Sequence, residues 1–190
     1  MAHIALPEGE PGIIGLMVAY REAEKPLNEL CNAIMCGPSS LSTAEREMIA
    51  TYVSHGNECR FCTATHAAAT RELLGPHAAV MDRVLCDLET AGIDSKMKAL
   101  LNIAGKVRQD GRLVTPDDVA RARDAGADDK AIHDTVLIAA MFCMFNRYVD
   151  GLGTTPATPE QYAAAGVRIA TKGYGARFRN SEPDAQARNR

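Results

Sequence analysis

The sequence has no apolar run long enough to cross a bilayer. The longest, Val136 to Phe145, stops well short of the roughly 20 residues a spanning helix needs. The N-terminus, MAHIALPEGEP, lacks both a basic n-region and an apolar h-region, so it does not read as a signal peptide. Charge of one sign is lacking too: 21 Lys and Arg against 24 Asp and Glu leave a net −3 and a pI near 6.0. That balance offers no electrostatic footprint for nucleic acid or an anionic membrane surface. Neither G-x-G-x-x-G nor a P-loop occurs, and nothing marks a flavin or haem, so no cofactor is expected. Strand-like alternation never extends beyond a few residues, which excludes a sheet. Six cysteines, at 31, 36, 59, 62, 86 and 143, are too few for a disulfide scaffold in a chain of 190 residues. A soluble cytoplasmic protein is the economical reading, with buried thiols plus one reactive pair.

What remains is helical periodicity. With 46% hydrophobic residues, one domain can bury a sizeable core. Residues 1–12 read as an extended arm, 13–178 as an all-α domain and 179–190 as a polar, disordered tail. Ser42 with Glu45, Thr115-Pro116, Asp128, and Thr158-Pro159 with Gln161 mark helix starts; Gly37-Pro38, Gly75-Pro76, Gly126 and Gly173 mark ends. Residues 77–91 read as a further helix, and the segment from Asp128 to Tyr148 as one buried on all sides, inside the domain or in a subunit interface. The expected fold is all-α, about eight helices in antiparallel pairs.

Glu47 to His66, EMIATYVSHGNECRFCTATH, carries the chemistry. Glu47 is followed, after eleven residues, by Cys59 and Cys62 as C-x-x-C and then by His66. On a helix over residues 58–73, Cys59, Cys62 and His66 fall within about 60° of each other on one face. Helical positions three apart lie roughly 5 Å apart, inside the range a disulfide accepts. Gly56-Asn57 breaks the preceding helix, which places Cys59 in a first turn, where free amides and the macrodipole favour a thiolate. A chain reversal there lets Glu47 face the second helix and orient His66.

These residues match a family pattern. E-x(11)-C-x-x-C-x(3)-H, filled by Glu47, Cys59, Cys62 and His66, resembles the AhpD-like alkylhydroperoxidase branch of the carboxymuconolactone decarboxylase superfamily, and GPSSLSTAEREMIATYVS, NECRFC and FNRYVDGLG resemble its peroxidase-related members. The resemblance implies an AhpD-like helical, homo-oligomeric, thiol-dependent hydroperoxide reductase. In such an enzyme Cys62 is oxidised by a hydroperoxide and Cys59 resolves it, while His66 and Glu47 serve as proton relay. Reducing equivalents would come from a dithiol such as a lipoylated protein. One position departs: the residue before the second cysteine is Phe61 where well-studied members have histidine, which removes one proton path. The order of attack stays open at this stage, because the helix N-terminus favours Cys59 and the resemblance favours Cys62.

Three rivals stand beside this reading. A structural zinc site would find Cys59, Cys62 and His66 on one helix, but no second C-x-x-C or H-x(3)-H completes four ligands, so no metal is expected. Lactone decarboxylation, the superfamily's other chemistry, has no need of C-x-x-C. A general protein disulfide reductase would use the same dithiol on a protein substrate. Other residues read as structural: His55 at a helix C-terminus, His3, His77 and His133 on the surface or in caps, Arg46 and Arg147 in ion pairs, Tyr52 in the core. Cys31, Cys36, Cys86 and Cys143 read as unreactive core thiols.

Overall fold

In a computed structural model that describes residues 2–174, the chain is all-helical. Nine α-helices occur among the described residues: α1 (Ile13–Ala19), α2 (Arg21–Cys36), α3 (Thr43–Gly56), α4 (Arg60–Leu74), α5 (Ala79–Cys86), α6 (Ser95–Gln109), α7 (Pro116–Asp124), α8 (Asp129–Gly151) and α9 (Pro159–Lys172). Single 3-10 turns follow α4 and α6, at Gly75–His77 and Gly111–Leu113. The tail expected to be disordered, 179–190, lies outside the described residues.

Local signals start these helices. Ser42 accepts from the Glu45 amide at 3.2 Å while the Glu45 carboxylate accepts from the Ser42 amide at 2.7 Å, a closed capping box at α3. Thr115 with Asp118 and Thr158 with Gln161 close the same box at α7 and α9, each followed by proline at the first helical position. Asp94 and Asp128 cap α6 and α8. Where the structure departs from the sequence reading, packing decides. The helix expected over 77–91 shortens to α5, and Tyr20 breaks the apolar opening into α1 and α2.

The core runs through α3, α4, α6 and α8, with Ile49, Val53, Leu100, Leu101, Ile103, Ile138 and Phe142 all essentially inaccessible. α8 is not covered on every side, since Leu137 and Met144 remain exposed. α9 lies so close to α4 that a Cβ on Gly166 would sit 2.7 Å from Ala68 Cβ and 2.8 Å from its carbonyl carbon. Residues 2–12 fold back as an arm: His3 donates its amide to the Leu152 carbonyl at 2.9 Å, and Gly12 donates to Thr155 at 2.9 Å. No described helix is long and apolar enough to cross a membrane.

Candidate active site

The turn between α3 and α4 sets the cysteines. Asn57 ends α3, Glu58 takes a left-handed φ of 60°, and the chain closes as a Schellman motif. Glu58 N–H bonds the His55 carbonyl at 2.9 Å and Cys59 N–H the Ser54 carbonyl at 3.0 Å. Glycine is the usual residue at that left-handed position, so the non-glycine strain sits beside the dithiol. Cys59 is then held from both sides, because its carbonyl accepts from Thr63 at 2.9 Å.

This geometry corrects one expectation. Cys59 lies outside the first turn of α4, at its N-cap, and its side chain receives no capping hydrogen bond from the helix amides. The first turn holds Arg60, Phe61 and Cys62, so the favourable end of the helix dipole falls to Cys62. Both thiols are free and buried, Cys59 fully and Cys62 at 3% exposure. The neighbouring Cys59 thiol, then burial, push the Cys62 thiol well above its ordinary pKa.

The structure brings His66 and Glu47 together across the α3–α4 crossing. His66 Nδ1 lies 2.8 Å from Glu47 Oε2. A carboxylate only accepts, so Nδ1 donates to it, and Nε2 is the ring nitrogen that Glu47 does not engage. Next to this pair, Thr51 and Thr70 meet at 3.2 Å, each also donating to a carbonyl of its own helix at 2.8 Å. The Phe142 ring stands edge-on to the imidazole, centroids 4.6 Å apart, and fixes its plane.

One member of the site had escaped the sequence reading. Tyr174 donates its hydroxyl to Glu47 Oε1 and lies 3.2 Å from His66 Nδ1, stacking on the imidazole with centroids 6.1 Å apart. Gly173, the C-cap of α9, turns the chain inward with φ 66°, and a Cβ there would approach Cys36 Sγ to 2.9 Å. Burial, then the Glu47 charge, holds the Tyr174 phenol well above its ordinary pKa, so it stays a donor. A tyrosine just past a helix-ending glycine carries no sequence signal of its own.

A cavity of about 430 Å³ opens onto these groups, and both Cys62 and His66 line it, whereas Cys59 does not. Its walls are mostly apolar, with Ile13, Ile14, Phe145 and Ile169 prominent, and the arm contributes Gly9 to Pro11. Phe61 also lines it, tilted against Tyr162 at 5.9 Å and pressed on Gly12, where a Cβ would come within 2.4 Å of the ring. The position that departs from the family pattern is therefore part of an apolar wall. Cys31 is buried and lines the same cavity.

Of the residues read as structural, some keep their expected places and others depart from them. Arg46 makes hydrogen bonds to the Ile34 and Gly37 carbonyls, at 3.2 and 2.8 Å, which cap the end of α2 where an ion pair was expected. Arg147 is exposed and bonds the Cys143 carbonyl at 3.0 Å. Tyr52 packs toward Gly105, away from the site. Cys36 and Cys86, expected in the core, are exposed, and Cys143 is intermediate. His55, His77 and His133 are exposed on the surface, His133 pairing with Asp134 at 2.9 Å. Among the described residues no group of three or more His, Cys, Asp or Glu is placed to hold a metal ion.

Comparison with known proteins agrees with this geometry. Residues 21–104, which include Glu47, Cys59, Cys62 and His66, match the carboxymuconolactone decarboxylase family model. The fold is similar to a crystal structure described as an alkylhydroperoxidase AhpD core, an uncharacterized peroxidase-related protein from Ralstonia eutropha JMP134. That chain is 26% identical, with a TM-score of 0.73 over 82% of this chain and 80% of the other. It is also similar to an uncharacterized peroxidase-related protein from Silicibacter sp. TM1040, 28% identical, with a TM-score of 0.71 over 78% of each chain. No curated protein matches the sequence. Residues 21–104 are thus similar to the carboxymuconolactone decarboxylase family, and the fold over about four fifths of the chain is similar to that of AhpD-like, peroxidase-related proteins.

Proposed function

We propose that the protein is a thiol-dependent hydroperoxide reductase in which Cys62 attacks and Cys59 resolves. The observation that carries this reading is the asymmetry of the pair: Cys62 lines the cavity with His66, whereas Cys59, three residues earlier, is inaccessible and outside the lining. His66, held by Glu47 through Nδ1, takes the Cys62 proton on Nε2. The thiolate sulfur bonds to the terminal peroxide oxygen as the O–O bond breaks, and the departing alkoxide takes the proton from the imidazolium and leaves as alcohol. Cys62 is now a sulfenic acid. The Cys59 thiol displaces its hydroxyl as water, giving the Cys59–Cys62 disulfide. A dithiol donor, such as the lipoylated protein implied by the resemblance, returns both cysteines to thiols by exchange and is itself oxidised. The assembly belonging to this reading is a homo-oligomer, for which exposed Leu137 and Met144 of α8 offer apolar contact surface.

Serine variants test the division of labour. Cys62→Ser abolishes hydroperoxide consumption, whereas Cys59→Ser permits one turnover and leaves a sulfenic acid on Cys62 that a dimedone probe traps. Full steady-state turnover in both variants would rule the dithiol mechanism out.

A further inference from the structure

Between the reactive cysteine and its base in the sequence stands a threonine whose hydroxyl is unbonded. Thr65 lies in α4 one turn past Cys62 and directly before His66, and it is 7% exposed. Its Oγ1 is buried and has no hydrogen-bond partner among the described residues. Other buried helical threonines return the hydroxyl to the carbonyl four residues back: Thr51 to Glu47, Thr70 to His66 and Thr135 to Ala131, each at 2.8 Å. Thr65 makes no such bond to the Phe61 carbonyl. A buried hydroxyl without a partner costs stability, a cost that is offset when a ligand supplies the missing bond.

The cavity is where that ligand arrives. Thr65 lines it together with Cys62 and His66, whereas Thr63, Ala64, Ala67 and Ala68 on the outer face of α4 line a separate surface groove that Thr65 does not reach. Helical positions 62, 65 and 66 share one face, three and four residues apart, with Cβ atoms roughly 5–6 Å from one another. A peroxide group in contact with the Cys62 sulfur is therefore within reach of both Thr65 and His66. Cys62 otherwise clusters with Cys59, Phe61 and Val149, none of which offers oxygen a strong donor. We propose that Thr65 is a catalytic residue of this site, whose hydroxyl donates a hydrogen bond to the inner peroxide oxygen, the one that leaves as alkoxide. Negative charge grows on that oxygen as the S–O bond forms and the O–O bond breaks, and a donor already in place stabilises it without reorganising. Thr65 keeps its proton throughout; the His66 imidazolium supplies the one that turns alkoxide into alcohol. The assignment rests on the hydroperoxide-reductase reading.

The test is the rate at which cumene hydroperoxide oxidises Cys62 in the fully reduced protein, followed by stopped flow with mass mapping of the product, beside the pH profile of Cys62 alkylation by iodoacetamide. Thr65→Val keeps the shape and removes the hydroxyl, so the second-order rate should fall about 10-fold to 10²-fold while the alkylation midpoint stays at the wild-type value. Thr65→Ser restores the donor and should stay within about threefold of the wild-type rate. Thr65→Ala should repeat the valine result and serves if that variant does not fold. A valine variant oxidised as fast as the wild type would overturn the assignment and leave the dithiol reading standing. So would a serine variant as slow as valine, or a rate loss matched by a rise in the alkylation midpoint. A wild-type protein that cumene hydroperoxide leaves fully reduced would instead sink the hydroperoxide-reductase reading, and the assignment with it.

Discussion

Glu47 is a carboxylate with no solvent exposure, held by two donors, His66 Nδ1 and the Tyr174 hydroxyl. Burying a charge this deeply is costly unless hydrogen bonds compensate, so the constellation is stable only while all three groups are present. Glu47→Gln keeps the size but removes the charge that stabilises a protonated imidazole. The expected result is an upward shift in the pH at which Cys62 alkylates and a fall of about 10²-fold or more in the rate of its oxidation. An unaltered profile would remove Glu47 from the relay. The four residues Glu47, Cys59, Cys62 and His66 were legible in the sequence because fixed short spacings on two consecutive helices put them together. Tyr174 was not, because it meets Glu47 across 127 positions. No local periodicity encodes meetings of that span.

At the scale of elements, caps and stops wrote themselves clearly: the boxes at Ser42 and Thr158 close as the sequence implied, and Thr115 caps α7 as expected while also closing a box with Asp118. What the sequence could not give was how closely helices approach, and hence which thiols are covered. Cys36 reads as a core residue but ends exposed at the C-terminus of α2, near Gly173. The placement of Cys59 turned on one backbone residue, since Glu58 rather than a glycine takes the left-handed position and leaves Cys59 as N-cap. The tightest approach is that of α9 to α4 at Gly166. Most residues would improve an exposed helix at this position, as glycine costs about 1 kcal/mol relative to alanine. Here the added side chain meets the Ala68 backbone, which cannot rotate away. Gly166→Val should therefore destabilise by about 1–3 kcal/mol, lowering Tm by several degrees in thermal unfolding. It should also slow Cys62 oxidation, because α9 carries Tyr162 and Ile169 of the cavity wall and leads into Tyr174. A Tm equal to or above that of the wild type would show that the two helices pack more loosely than described.

For the whole molecule, the cavity exists only when the chain is complete around it. The arm, α1, α2, α4, α8 and α9 each supply part of its lining, so substrate shape is a property of the assembled fold, whereas the dithiol is a property of one turn. That division explains why the C-x-x-C pair could be read from the sequence and the cavity could not. It also sets what the decisive experiment must resolve, because Cys31 shares the cavity with Cys62 and could be oxidised in its place. The measurement is single-turnover oxidation of the fully reduced protein by one equivalent of cumene hydroperoxide, followed by free-thiol counting and mass mapping of each cysteine. The account predicts rapid loss of two thiols, recovered as a Cys59–Cys62 disulfide, with Cys31, Cys36, Cys86 and Cys143 still reduced. Thiols that all stay reduced, or an oxidation that maps to Cys31, would contradict it.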